Sequence, residues 1–223
     1  MLDVMFAGPL ARRIRRENLT YLPYDRLRSL REAVNEVRPV EGVVVECGIA
    51  LGGSGILLAS ELADREFHGY DVFGEFPPPG PDDPPEAHEL YRLIVSGEAK
   101  GPGGKTFSGY MPDIYRRVTD AFARYGVPVG DRIHLHKGLV EDTFKPEWPI
   151  ALAHIDTDWY NPVKVCLERI APHVQPGARV VLDDYYDYGG CKKATDEFLS
   201  STPGFKIIRR RGHVVLGYHP TTG

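Results

Sequence analysis

Four aspartates stand directly after two short apolar runs, and their placement is the strongest chemical signal in this chain. Asp156 and Asp158 follow the run IALAHI, and Asp183 and Asp184 follow ARVVL. If the two runs are neighbouring parallel strands, these carboxylates converge at one edge of a sheet. Converging carboxylates repel one another unless a proton or a cation lies between them, and hard oxygen ligands suit Mg2+ better than a softer metal. Turn formation and helix capping by Asp form the competing explanation, which accounts for one or two of the four more easily than for the set.

A second constellation is the stretch VVVECGIALGGSG, which places Gly48, Gly52, Gly53, Ser54 and Gly55 between a β-branched run and a helix. In an open α/β sheet a nucleotide-like ligand sits at such a turn, because small residues let backbone N–H groups approach it. The dinucleotide fingerprint fails, since Leu58 stands where its third glycine belongs, and the phosphate loop fails because Ser54 replaces the required lysine. A near miss at Gly104-Lys105-Thr106 has Ala99 where a glycine is needed and no strand ahead of it. Two acidic residues remain: Glu46 before the loop and Asp71 at the end of the next strand. A carboxylate at Asp71 can accept hydrogen bonds from a ribose hydroxyl pair, and Glu46 stands close to where a cationic group would lie. With no basic residue in the loop, an adenosine ligand without phosphates is favoured, and S-adenosylmethionine (SAM) fits. The plainer alternative is a glycine turn that only packs a helix on a sheet.

The elements that must position these residues are readable from periodicity. Leu27, Leu30, Val34 and Val37 recur at helical spacing and stop before Pro39; Val43 to Val45 then reads as a buried strand and Ile56 to Ala63 as a helix. Further strands are expected at 67–70, 132–136, 150–155, 178–182, 205–209 and 213–218, with helices at 111–125, 163–170 and 191–199. This alternation predicts an α/β fold with a seven-stranded, mostly parallel sheet closed by a C-terminal antiparallel hairpin. Residues 74–109, rich in Pro and Gly around one short helix at 88–95, form an insertion expected to be a mobile lid, and 1–38 an N-terminal arm and helix. The arm, with Arg12, Arg13, Arg15 and Arg16, reads as a solvated segment or a docking helix, and Arg209 to Arg211 as a solvated hairpin tip. His154, inside a strand, reads as a core histidine or a substrate contact.

At 223 residues the chain suits a single domain. With 27 Lys and Arg against 31 Asp and Glu, a strongly basic binder is excluded, and no nucleic acid or membrane partner is expected. No apolar stretch reaches the roughly 18 to 20 residues of a membrane span, and a cytoplasmic protein is expected. Cys47, Cys166 and Cys191 are odd in number and widely spaced, which argues against a disulfide framework and a thiolate zinc site.

The stretches ECGIALGGSG, HIDTDWY and ARVVLDDYYDYGGCKKATDEF resemble the macrocin O-methyltransferase family of SAM- and Mg2+-dependent sugar O-methyltransferases, over roughly residues 40 to 200. The resemblance implies a Rossmann-like class I methyltransferase fold, a homo-oligomer, and a small-molecule hydroxyl acceptor on a glycosylated natural product. It implies that Asp156, Asp183 and Asp184 bind Mg2+, with Asp156 also the general base, and that the Glu46, Gly48, Gly52, Gly53, Ser54 and Asp71 region binds SAM. Gly138, in HKGLVEDTF, matches a family segment near the adenine, with Glu141 and Asp142 beside it. The family's substrate lid would fall at 74–109, although the Pro-rich lid and the GPGGKTF stretch depart from the macrolide enzymes. Asp158 or water is the alternative base. A catechol-like acceptor and a SAM- or nucleoside-binding protein without turnover are the competing functions.

Overall fold

The computed structural model describes residues 2–220. In chain order the strands are β1 (Val43–Cys47), β2 (Phe67–Asp71), β3 (Ile133–Lys137), β4 (Ile150–Ile155), β5 (Val174–Leu182), β6 (Phe205–Arg211) and β7 (His213–Tyr218). The helices are α1 (Leu2–Phe6), α2 (Gly8–Arg16), α3 (Tyr24–Glu36), α4 (Gly53–Glu61), α5 (Pro85–Val95), α6 (Ile114–Arg124), α7 (Val140–Thr143), α8 (Tyr160–Ile170) and α9 (Gly189–Ser201). The strands form one sheet in the order β3-β2-β1-β4-β5-β7-β6; the first five are parallel, and β7 runs antiparallel to both its neighbours. This is the mostly parallel, seven-stranded α/β sheet with a closing hairpin that the alternation predicts.

Two cores sandwich the sheet, as buried parallel strands require. On one face Ala11, Ile14, Leu27, Leu30, Ile56 and Phe122, from α2, α3, α4 and α6, pack together. On the other, Val163, Leu167, Cys191 and Phe198, from α8 and α9, cover Val45, Ile155 and Leu182. Chain order reverses between β1 and β4, and in open α/β sheets a crevice opens at the carboxyl ends of strands flanking such a switch.

Several element ends differ from expectation for local reasons. Helix α4 begins at Gly53, because the last glycines of the loop already lie in its first turn. Helix α8 begins at Tyr160, since Pro162 sits in the first turn, where its missing N–H costs nothing. The single turn α7 is too short to show a period. The N-terminal segment is a docked one: Ala7, Ala11 and Ile14 are fully buried, and the Leu19 carbonyl accepts a 2.8 Å hydrogen bond from Gly53 N–H. Arg209 to Arg211 is not a solvated tip. It extends β6, and Arg209 and Arg211 pair with α3, where Arg211 Nη1 lies 2.9 Å from Glu32 Oε1 and Arg209 contacts both Glu32 and Glu36; Arg210 between them is exposed.

The insertion at 74–109 carries α5 and two single 3-10 turns, and it is tied down at several points. Trp159 Nε1 donates to the Pro77 carbonyl at 3.0 Å, and the buried Asp83 accepts from Tyr160 N–H at 2.7 Å, capping the otherwise open start of α8. Among the described residues no helix is long and apolar enough to cross a membrane.

Candidate active site

The ends of β4 and β5 bring the aspartates together. The strands are parallel neighbours, with Ile155 opposite Leu182, so the next residues, Asp156 and Asp183, emerge side by side. One carboxylate oxygen from each of Asp156, Asp183 and Asp184 lies within 4.8 Å of the others. Asp183 and Asp184 are buried, and Asp184 Oδ2 accepts a 3.0 Å hydrogen bond from Asp158 N–H. Asp158 itself sits at φ +59°, a left-handed conformation that Asp tolerates better than most residues.

Burial and mutual repulsion set the charges here. Burial first, then the charges of Asp184 and Asp183, push the Asp156 carboxyl well above its usual range; burial and then Asp158 and Asp183 do the same to Asp184. Asp158 is raised to about 7 by burial and by Asp183 and Asp187. Asp183 goes the other way: burial opposes its charge, but the nearby His154 and a hydrogen bond from His213 hold it ionised. Arg26, from α3, adds to this by donating to Asp183 Oδ2 at 2.6 Å and to Asp187 at 2.5 Å. A trio of desolvated carboxyls, two of them strained toward protonation by their neighbours, is a donor set that a hard divalent cation satisfies.

Behind the trio runs a buried polar chain. Glu46 Oε1 lies 2.8 Å from His154 Nδ1, and both side chains are completely buried. His154 Nε2 is 3.8 Å from Asp183 Oδ1, beyond a hydrogen bond but close enough for strong attraction between charges. Asp183 continues the chain through His213 Nδ1 at 3.1 Å, whose Nε2 meets Ser29 Oγ at 2.8 Å. Burial works against a charge on His154, yet Asp183 and Glu46 together raise it to about 9. His154 is therefore a core histidine rather than a substrate contact.

The glycine loop lies opposite. Gly48 has φ +95°, and a Cβ built there would stand 1.8 Å from the Asp156 carbonyl oxygen. Only glycine lets β1 end this close to β4. Gly48→Ala is expected to cost about 3 kcal/mol or more, from the left-handed backbone and the forced displacement together. Urea unfolding measures it, and a loss below about 1 kcal/mol would mean that the two strand ends can part freely.

Asp71 accepts from Ile49 N–H at 2.9 Å, Ala50 N–H at 2.8 Å and Phe73 N–H at 2.6 Å, so it shapes the loop. Each carboxylate oxygen has more than one lone pair, and capacity for a further donor remains. Burial, only partly offset by these amides, raises its pKa.

A cleft of about 890 Å³ joins these parts. Gly48, Asp71, Gly138, Glu141, Asp156, Asp183 and Asp184 border it; Glu46, Gly52, Gly53, Ser54 and Asp142 do not. Glu46 is under the loop, its Oε2 without a hydrogen-bond partner among the described residues, and Gly53 gives its N–H to Leu19. Gly138, at φ +143°, donates to the Asp71 carbonyl at 2.9 Å and so links the ends of β2 and β3. The lid supplies a roof with Phe76 and Phe107, and Trp159 stacks edge-on against Phe76 at 5.4 Å and Tyr188 at 5.5 Å. Sequence reading missed Arg26 and His213. Neither lies in a motif, and each reaches Asp183 only because α3 and β7 pack beside β5.

Across residues 15–203, the greater part of the chain, the sequence matches the family model described as Macrocin-O-methyltransferase (TylF). It is 27% identical over 166 residues to the 8-demethyl-8-(2,3-dimethoxy-alpha-L-rhamnosyl)-tetracenomycin-C 4'-O-methyltransferase of Streptomyces olivaceus, a match covering 71% of this chain and 58% of that protein. The chain thus spans less than two thirds of that relative's length. It is 28% identical over 189 residues to the demethyldecarbamoylnovobiocin O-methyltransferase of Streptomyces niveus, covering 80% and 67% of the two chains. The solved structure of the O-methyltransferase NovP superposes with a TM-score of 0.73 at 21% identity over 98% of each chain, a likeness of fold.

Proposed function

The chain belongs to the macrocin O-methyltransferase family, and from that premise we propose that it transfers a methyl group from SAM to a hydroxyl of a small-molecule acceptor, a sugar carried by a natural product. One observation carries the reading: three crowded carboxylates and a left-handed glycine loop face the same roofed cleft at the switch point of the sheet. The sugar acceptor is supported by the relative whose name describes a rhamnosyl-bearing substrate.

When bound, SAM supplies an electrophilic methyl group and Mg2+ supplies positive charge beside the acceptor oxygen. Asp156, Asp183 and Asp184 are the residues to hold the ion. Gly48, Asp71, Gly138 and Glu141, which border the cleft, are the residues to hold the cofactor, with Gly52, Gly53, Ser54 and Asp142 supporting the loop and turn behind them. Glu46 acts indirectly, by keeping His154 charged beside Asp183. An Asp156 oxygen accepts the hydroxyl proton; Asp158, poised at about 7, is the second group able to do so. Phe76, Phe107 and Tyr188 offer faces that pack on the apolar side of a sugar and shut water from the reacting atoms.

Thermal melting tests the reading, with SAM or S-adenosylhomocysteine, each with and without Mg2+ and with a chelator as control. A ligand at 100 times its Kd stabilises by about 2.7 kcal/mol, which moves Tm by about 5–11 °C for a chain of this size. A shift with both cofactor forms and a separate response to Mg2+ is expected. No shift with either cofactor form would remove SAM from the cleft and with it the methyl-transfer reading.

A further inference from the structure

A second group of ligand-bearing side chains lies outside the cleft, on the edge of the sheet. Strands β2 and β3 pair in parallel with His68 opposite His134 and Tyr70 opposite His136. Alternation sends Phe67, Ile133 and Leu135 into one core, which leaves His68, His134 and His136 together on the other face of the edge pair. The turn that follows β3, α7, is four residues long, and Trp148 covers the histidines instead, stacked on His68 at 4.0 Å and 19°.

From these residues we propose that Glu66, His68 and His134 form a binding site for one borderline divalent transition ion of the Zn2+ type, separate from the aspartate trio. Their donor atoms lie within 4.8 Å of one another. Glu66 Oε2 stands 3.3 Å from His68 Nε2. Two donors each about 2.0–2.1 Å from a tetrahedral ion stand about 3.4 Å apart, so this pair already has the spacing of one edge of the coordination shell. The other His68 nitrogen, Nδ1, faces His136 Nε2 at 3.3 Å. A histidine that binds a metal through one nitrogen characteristically gives its second N–H to a neighbouring acceptor, which fixes the tautomer and aims the ring; His136 is placed to be that acceptor. Nitrogen donors with a single carboxylate suit Zn2+ and its neighbours, whereas the all-oxygen trio in the cleft suits Mg2+. His68 is buried beneath the Trp148 ring while Glu66 is exposed, so the site has a rigid base and an open way in.

The ion would pin edge strand β3 to β2 a few residues before Asp71 and Gly138, both of which border the cleft. Its ligands come from one loop residue and two facing strand positions, so binding draws on structure that already exists.

Zn2+ titration of the full chain, without an affinity tag and with saturating Mg2+ present, is the test, read by calorimetry; Co2+ in its place reads the coordination through its visible spectrum. The expected result is one equivalent of Zn2+ bound, an intense Co2+ spectrum, and a Tm raised by the ion. Glu66→Gln, at an exposed position, and His134→Ala are each expected to weaken binding by at least about 10-fold, and Asp184→Asn to leave it unchanged. Absence of binding, native-strength binding by both ligand variants, or loss of the ion in Asp184→Asn would each overturn the site, whatever the cleft proves to bind.

Discussion

Asp156→Asn is expected to lower turnover by about 10³-fold while SAM still binds. The substitution keeps the shape of the side chain but removes one of three charges that face the same small volume. It also removes the group assigned to accept the hydroxyl proton. The cofactor contacts assigned to Gly48, Asp71, Gly138 and Glu141 are untouched, so the cofactor-induced shift in Tm should survive. Near-normal turnover in this variant would sink the assigned role of Asp156. Asp158→Asn separates the two candidate bases. Burial and the charges of Asp183 and Asp187 raise Asp158 to about 7, and a base must be ionised to accept a proton. If it is the base, activity of the native enzyme falls on the acid side, at a pH that bound Mg2+ moves downward because the cation favours the ionised carboxylate, and the variant loses both that limb and most of its rate. If Asp156 is the base, the variant stays active.

His154→Leu is expected to destabilise the fold by about 3–5 kcal/mol at pH 7, the cost of stripping the partner from a buried charge. Glu46 is fully buried and leans on His154 at 2.8 Å. Burial raises the Glu46 pKa, so without the imidazolium this carboxyl must take up a proton or remain as an unpaired charge. Replacing both residues, Glu46→Leu with His154→Leu, should recover much of the loss, because no charge is then left unpaired. The sign with pH follows from the raised His154 value. A histidine at about 9 in the folded chain and about 6.5 when unfolded contributes stability fully present below about 6.5 and lost as pH rises through about 9. Urea unfolding between pH 6 and pH 10 should therefore show an alkaline decline in the native protein that the double variant lacks. The same decline in both would place its origin elsewhere.

The candidate site was legible where its residues sit at the ends of regular elements. Asp156, Asp183, Asp184 and Gly48 each follow a short apolar run, and a strand end in a parallel sheet leaves little choice about where the next side chain goes. Glu46 was not legible in the same way. Its strand is buried on both faces, so no alternation of polar and apolar residues tells which side a carboxylate takes. The register placed it under the loop and against His154. Asp83 looked like one more polar residue in a Pro-rich stretch, yet it caps α8 from across the cleft. Nothing near it in the chain marks that role.

What the amino-acid sequence determined by itself is the order of elements, the class of sheet, and the set of carboxylates and glycines at strand ends. These depend on local periodicity, on the residues that stop strands and helices, and on the backbone freedom that only glycine has. Tertiary structure alone decided which of those carboxylates is held charged and by what. Asp183 owes its charge to Arg26, His154 and His213, brought to it from α3, β4 and β7. Asp156 and Asp184, a few ångströms away, are pushed toward protonation by burial and by the aspartates around them. Desolvation and charge act over distances in space, and chain separation carries no record of them until the strands are in register.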